Sequence, residues 1–139
     1  MRVLVLVKGD NTTEAGQLPS TEMLAKMNAF NERLVDAGVM QMGEGLHPSS
    51  KGRRIRFSAT QPAVLDGPFP NAKDLVAGFW IWKVRSMDEA VQWLKKAPFE
   101  SGAEVEIRPI FETKDFGDVL TPELRAQEER LRASAAANM

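Results

Sequence analysis

Residues 75–84 read Leu-Val-Ala-Gly-Phe-Trp-Ile-Trp-Lys-Val, and they contain the longest apolar stretch of the chain. Side chains alternate across a strand, so Phe79 and Ile81 lie on one face while Trp80 and Trp82 lie on the other. Both faces are therefore apolar, which is typical of a strand that is covered on both sides. We expect residues 75–84 to form a central strand of a sheet.

Residues 2–8 show the same two-sided apolar pattern and predict another buried strand. Apolar residues at helical spacing predict a helix over about 21–37, which Gly38 ends. Pro109 predicts that the last strand lies at a sheet edge, because proline cannot donate to a ladder. The other expected elements are a polar loop over Gly9–Pro19, a strand over Val39–Leu46, a small hairpin from residues 54–57 and 63–65, a helix over about 87–97, a strand over Glu104–Glu112 and a terminal helix over about 121–133.

This order of elements is the β-α-β-β-α-β pattern of a ferredoxin-like α+β fold, with an inserted β-hairpin and a C-terminal helix. Two helices cover one face of a four-stranded sheet, yet residues 3–7 and 75–84 are apolar on both faces. We therefore predict a homodimer whose sheets pack face to face. The competing explanation is that the C-terminal helix covers the second face, although its apolar residues are sparse.

Composition excludes several classes of function. The 139 residues suffice for one domain. Because the chain has no cysteine, thiol catalysis and disulfide scaffolds are excluded. Because it has only one histidine, a metal site with several histidines within one chain is excluded as well. The net charge of −1 provides little attraction for nucleic acid or acidic membranes. The apolar run at residues 3–7 is too short for a secretory signal or a membrane span, so we expect a cytoplasmic protein. No dinucleotide or P-loop fingerprint is present, and we expect no cofactor.

His47 and Asp66 are candidates for proton transfer. His47 is the only imidazole, and imidazoles titrate near neutral pH, but a role in capping or solvent contact is equally reasonable in a turn before Pro48. Asp66 either pairs with His47, acts alone as a base, or bonds backbone amides to form the Asp-Gly-Pro turn. The sequence leaves these alternatives open.

Charged and polar residues near the predicted strands are candidates for ligand binding. Glu44, Glu106 and Arg108 have apolar neighbours, where charges are costly unless they are paired or hydrated. They either line a cleft, in which Arg108 holds a carboxylate or phosphate bidentately, or form an internal pair at the sheet edge. Ser49 and Lys51 either supply donors at the mouth of the pocket or belong to a solvated turn.

The string Asp66-Gly67-Pro68-Phe69 resembles the signature of the YCII-related, or DGPF-domain, proteins. The resemblance implies a dimeric α+β barrel with a single-domain core over about residues 1–115, followed here by a helical extension over about 121–135. Further matching segments occur in the same order along the chain, namely Gly43-Glu44-Gly45-Leu46 with His47-Pro48, Ala77-Gly78-Phe79, Asp88-Glu89-Ala90 and Glu106-Ile107-Arg108-Pro109.

The resemblance also implies two kinds of function. A related branch is suggested to be enzymatic through a His–Asp pair with its histidine on the first helix, but no residue from 21 to 37 is histidine, so that pair does not transfer. Members of the family are also associated with extracytoplasmic-function sigma factors. Because the chain contains nothing like a sigma-factor helix-turn-helix, such an association would act only in trans.

Three functions therefore fit the sequence. The first is a homodimer that binds a small polar metabolite, with or without cofactor-independent catalysis; Glu106 and Arg108 would orient the ligand, and His47 or Asp66 would handle protons. The second is a non-catalytic regulatory or interaction module, working through its dimer surface or with a sigma factor. The third is a dimer without any ligand.

Overall fold

The computed structural model describes all residues from 1 to 139, and the chain divides into two units, Met1–Pro109 and Ile110–Met139. The α-helices α1, α2 and α3 of the first unit span Asn11–Glu14, Thr21–Asp36 and Met87–Leu94. The strands of this unit, β1 to β6 in chain order, are Arg2–Lys8, Met40–Gly45, Arg53–Arg56, Ala63–Asp66, Val76–Lys83 and Val105–Pro109.

Four antiparallel strands form the main sheet in the order β2-β5-β1-β6. Without the inserted strands β3 and β4, this is the ferredoxin-like order, and the predicted α+β fold is confirmed. The two strands with apolar residues on both faces, β1 and β5, are central as expected. The strand that contains Pro109, β6, lies at an edge, which confirms the prediction from proline.

Serine caps set the start of both long helices in the first unit. The Ser20 hydroxyl accepts a hydrogen bond from the Met23 N–H at 3.1 Å, and the Ser86 hydroxyl accepts one from the Glu89 N–H at 3.1 Å. Gly38 follows α2 with a φ of 74°, a conformation that glycine adopts without steric cost. The helix predicted over 21–37 is thereby confirmed, whereas α3 ends at Leu94, before the predicted 97.

The hydrophobic core lies between the helices and one face of the sheet. Val3, Val5 and Trp82 from the central strands and Phe30 and Leu34 from α2 are completely buried. The Phe30 and Trp82 rings meet edge to face, with 6.4 Å between their centroids. Burial of these large side chains holds the helices on this face of the sheet.

The two core tryptophans differ in how their indole N–H groups are satisfied. Trp80 Nε1 donates to Asn31 Oδ1 at 3.0 Å, so α2 provides an acceptor for it. Trp82 Nε1 is buried and has no partner. An unmet donor costs about 1–3 kcal/mol, so Trp82 is held in the core by the apolar burial of its rings.

The inserted hairpin pairs only with itself, as a two-stranded sheet of β3 and β4. Ile55 lies opposite Val64, and both side chains are exposed. On the other side of the hairpin, the Arg54 guanidinium carbon lies 4.0 Å from the centroid of the Phe69 ring, a cation–π contact. The predicted hairpin is confirmed, and this contact connects it to the loop that follows Asp66.

The expected loop over Gly9–Pro19 contains one helical turn, α1, that the sequence analysis missed. Asp10 Oδ1 accepts from the Thr13 N–H at 2.8 Å, and Thr13 Oγ1 accepts from the Asp10 N–H at 2.9 Å. This reciprocal pair is a capping box. A single turn is too short to show an apolar periodicity, which is why the pattern did not reveal it.

The second unit contains a 3-10 segment over Thr113–Val119 and the helix α4 over Pro122–Ala136. The Thr121 hydroxyl accepts from the Leu124 N–H at 3.3 Å, and proline occupies the first turn. The helix extends to Ala136, past the predicted residue 133. None of the helices in the chain has the length and apolar character needed to cross a membrane.

Candidate functional site

Cross-strand pairing identifies the side chains on the second face of the sheet, which is the face opposite the helices. Leu4 pairs with Ile81 and Leu6 pairs with Phe79, so these four side chains lie together across β1 and β5. All four are half-buried. We call them the apolar stripe.

Charged residues flank the apolar stripe at both edges of the sheet. Glu44 pairs with Phe79 and Glu106 pairs with Leu6, so a carboxylate stands at each end of this row of the second face. Arg108 lies on the same face two residues beyond Glu106, with 4.0 Å between Arg108 Nε and Glu106 Oε2. The second face therefore combines an apolar middle with these three charged side chains, and the cross-strand pair of Arg2 and Lys83 lies on the same face at one end of β1 and β5.

Ser49 is the centre of a separate group of polar contacts. Its hydroxyl donates to the Glu14 carboxylate and accepts from the Phe69 N–H at 2.9 Å. The Ser49 N–H also donates to Glu14 Oε1 at 3.0 Å. Ser49 thus joins α1 to the loop that contains the Asp-Gly-Pro-Phe string. Glu14 carried no sequence signal, because its role depends on a contact across 35 residues of chain.

Gly67 shows why the Asp-Gly-Pro-Phe string needs a glycine. A Cβ atom at this position would lie 1.7 Å from the Ser49 carbonyl oxygen, a distance so short that no residue with a side chain fits here. The Gly67 N–H donates to the Gly52 carbonyl at 3.0 Å, and the Gly67–Pro68 peptide bond is cis. This string therefore packs backbone against backbone on the turn from Ser49 to Gly52.

Asp66 and His47 lie on the surface beside this turn. Asp66 Oδ1 is 3.1 Å from Arg53 Nε across the hairpin, and both side chains are at least 75% exposed. The Asp66 carboxylate bonds no backbone amide, and no hydrogen bond joins it to His47. His47 and Lys51 are exposed and make no hydrogen bond or ion pair through their side chains.

The perturbed pKa values of the chain belong to the start of α3. A hydrogen bond of 2.8 Å from Arg85 Nε to Glu89 Oε2 lowers the pKa of Glu89 and raises the pKa of Arg85. This pair stabilises a helix terminus and contacts none of the candidate residues. No three His, Asp or Glu side chains are grouped so that they could hold a metal ion.

Comparisons with known proteins identify a family, a curated relative and a similar solved structure. The model of the YCII-related domain family matches residues 1–114. An uncharacterized protein of Rhizobium meliloti (strain 1021) is 30% identical over 91 residues, which cover 63% of this chain and 73% of that protein. The 5-chloro-2-hydroxyhydroquinone dehydrochlorinase of Burkholderia phenoliruptrix AC1100, solved in complex with 2,5-dihydroxybenzoquinone, is similar with a TM-score of 0.43 and 20% identity over 81% of this chain and 96% of that chain.

Proposed function

The chain belongs to the YCII-related domain family, and from that premise we propose that it is a homodimer that binds a small polar metabolite on the second face of its sheet. Each copy would cover the apolar stripe of the other, since a two-fold axis buries the same patch on both copies. We also propose a cytoplasmic location and a single domain built on about residues 1–115.

One observation carries this proposal: Glu44, Glu106 and Arg108 border the apolar stripe on the same face. When a second copy covers the stripe, these charges lose part of their hydration and need partners. Arg108 Nε lies 4.0 Å from Glu106 Oε2, which is the limit for an ion pair. Both side chains therefore keep hydrogen-bonding capacity for a ligand. An apolar wall with a few charged groups at its margins is typical of small-molecule sites.

The residues of the site predict the chemistry of the ligand. The Arg108 guanidinium matches a carboxylate or phosphate in bidentate geometry, and Glu44 and Glu106 accept hydrogen bonds from hydroxyl or amino groups. Lys51 would supply a further donor, while the Ser49 hydroxyl already donates to Glu14 and would hold the loop in place. His47 and Asp66 would handle protons if the protein is catalytic, because no buried acid or base competes for that role.

The proposal is tested by native mass spectrometry of the freshly purified full chain. We expect a species of about 31 kDa, twice the chain mass of 15.4 kDa, that carries a bound small anion. Arg108→Gln should remove the retained ligand and leave the dimer intact. The matched control is Arg130→Gln, which removes the same charge from an exposed position on α4 and should keep the ligand. Retention of the ligand by Arg108→Gln would contradict the proposed site.

The second candidate is a regulatory module that acts in trans with an extracytoplasmic-function sigma factor. None of the contacts described above favours it, so it ranks behind ligand binding. It predicts that a sigma factor co-purifies with the chain from its native cell and that Arg108→Gln leaves this association unchanged.

A further inference from the structure

The outer edge of β6 has backbone groups that no other strand of the chain pairs with. The Lys8 N–H donates to the Glu104 carbonyl at 3.1 Å, and the register with β1 continues from there without interruption. Hydrogen-bonded pairs alternate along an antiparallel ladder, so Glu106 and Arg108 also bond to β1. The backbone groups of the residues between them point outwards. Such an edge is a template for pairing with another chain.

We propose that two copies of the chain join at this edge in an antiparallel ladder, with Ile107 of one copy opposite Ile107 of the partner subunit. The inference rests on the homodimer proposed above and adds the place and the register in which its copies meet. Ile107 is the middle residue of the strand Val105–Pro109, so this register uses the whole strand. A two-fold axis through the middle of the strand then relates the two copies.

The backbone groups of the edge are complementary to themselves in this register. Ile107 and Ile107 of the partner subunit would each donate to the other, as the residues of a hydrogen-bonded antiparallel pair do. The Val105 N–H would donate to the carbonyl of the partner's Pro109, and symmetry repeats this bond. Proline has no N–H, but in this register its carbonyl accepts. Only the Val105 carbonyl of each copy gains no partner.

The charged side chains of β6 are complementary in the same register. Glu106 would lie opposite Arg108 of the partner subunit, in a non-hydrogen-bonded pair whose side chains stand close together and in which opposite charges are favoured. A shift of two residues in one direction would place Glu106 opposite the partner's Glu106. A shift in the other direction would place Arg108 opposite the partner's Arg108. Like charges directly opposite each other are destabilising, so the charges select the register centred on Ile107.

The same two-fold axis brings the two apolar stripes together when the joined sheets curl into a barrel with their second faces inside. Leu4 and Leu6 flank the β1 partner of Ile107, and Ile81 and Phe79 pair with them on β5. Rotation about an axis at this level places Leu6 against Leu4 of the partner subunit and Phe79 against the partner's Ile81. Edge pairing and coverage of the apolar stripe therefore need only one axis.

An axis that runs along the strands would also cover the apolar stripe, but the charges oppose it. Because it exchanges the two edges of the sheet, it would place Glu44 against Glu106 of the partner subunit. It would also place Lys83 against the partner's Arg2. Both contacts join like charges, which is costly across an interface. The axis through Ile107 is therefore favoured.

Edge pairing makes the proposed metabolite site a shared one. Arg108 would stand between its own Glu106, at 4.0 Å, and Glu106 of the partner subunit on the neighbouring strand. A guanidinium has five N–H donors, so Arg108 can contact the partner's carboxylate and a ligand at the same time. The ligand would then contact side chains of both copies.

Cysteine cross-linking tests the register directly, because the chain contains no cysteine of its own. Ile107→Cys should form a disulfide-linked dimer under mild oxidation, since opposite Cα atoms of a hydrogen-bonded pair lie about 5.5 Å apart, within disulfide range. Val105→Cys is the matched control, because its side chain is half-buried on the same face of the strand. Its two copies would be roughly 14 Å apart along the ladder, so it should give at least about tenfold less covalent dimer.

A proline substitution tests the backbone bonds. Ile107→Pro removes the N–H that bonds to the partner, whereas Ile107→Ala removes only the side chain. The strand β1 does not use this N–H, so the circular dichroism of both variants should match that of the wild type. We expect the dimer dissociation constant of Ile107→Pro to exceed that of Ile107→Ala at least about tenfold, because each dimer loses two donors.

Charge exchange tests the pairing of the side chains. Glu106→Lys would face Arg108 of the partner subunit, and Arg108→Glu would face the partner's Glu106, so each variant alone should dimerise about tenfold more weakly. A mixture of the two should form the heterodimer, in which every cross-strand pair has opposite charges. Native mass spectrometry distinguishes this heterodimer by its mass. Arg108→Gln removes an attraction without adding a repulsion, so it should keep the dimer.

The outcomes separate this proposal from the homodimer on which it rests. A wild-type chain that sediments as a monomer at micromolar concentration would overturn both. A dimer in which the two cysteine variants cross-link equally would overturn the register while the homodimer stands. Equal dissociation constants of Ile107→Pro and Ile107→Ala, or a charge-exchanged mixture without heterodimer, would have the same consequence.

Discussion

The two faces of β5 carry similar residues and have different surroundings. On the helix side, Trp80 is 5% exposed and Trp82 is completely buried. On the second face, Phe79 and Ile81 remain half-buried. A strand pattern therefore shows that both faces avoid water, but it does not show which molecule excludes the water. One face is covered within the first unit, and we propose that a second copy covers the other.

The largest expected difference between the faces is in folding stability. Trp82→Ala empties a completely buried site that α2 packs against and should lower the free energy of unfolding by about 3–5 kcal/mol. Ile81→Ala on the second face should cost roughly half as much at a protein concentration low enough to separate the copies, since its side chain is half-buried within a single chain. Urea unfolding at a fixed protein concentration measures both values. Equal losses would mean that the two faces contribute equally to the core.

Dimerisation should depend on the apolar stripe of the second face and not on the exposed hairpin. Leu6→Glu places a charge in the middle of the apolar stripe and should raise the dimer dissociation constant at least about a hundredfold, because both copies would bury the added carboxylate. Sedimentation at micromolar concentration would then give the mass of one chain, with the helical circular dichroism unchanged. Val64→Glu adds the same charge to the exposed hairpin and should leave the dimer intact. A dimer that persists in Leu6→Glu would place the interface elsewhere.

The features that the sequence predicted correctly depend on local patterns. Two-sided apolar runs identified the central strands, and Pro109 identified the edge strand. Each of these predictions uses only residues that are close together in the sequence. The contact of Glu14 with Ser49 was not predictable, since it requires the loops around both residues to be in place. The pairing of Asp66 with Arg53 depends on the register of the hairpin, which the turn between its strands sets.

The sequence predicted that β6 lies at an edge, but it did not show which of the backbone groups of this strand bond to β1. Alternation placed Val105 and Ile107 on one face correctly, but a one-dimensional pattern does not show which backbone groups a neighbouring strand uses. That information comes from the ladder, where alternate residues bond to β1. The need for glycine at position 67 was likewise only partly predictable. The Asp-Gly-Pro-Phe string suggested a turn, and the structure shows that this turn also packs against the Ser49 carbonyl.

The smallest expected effect concerns pH and the helix side of the sheet, because α3 begins at the Arg85–Glu89 pair. The hydrogen bond from Arg85 lowers the pKa of Glu89 below its ordinary value of 4.5 in the folded chain. The pair therefore contributes stability at neutral pH, and this contribution is lost as the pH falls from about 4.5 through the lower folded value. We expect Glu89→Gln to be less stable than the wild type at pH 7, with the difference narrowing in acid. Arg85→Met should show a dependence of the same sign but smaller size, because the Arg85 backbone N–H still donates to Glu89 Oε2 at 3.3 Å, and the double variant should lose no more than Glu89→Gln alone. Thermal unfolding across this pH range measures the effect, and a constant difference between wild type and Glu89→Gln would show that the pair does not couple folding to protonation.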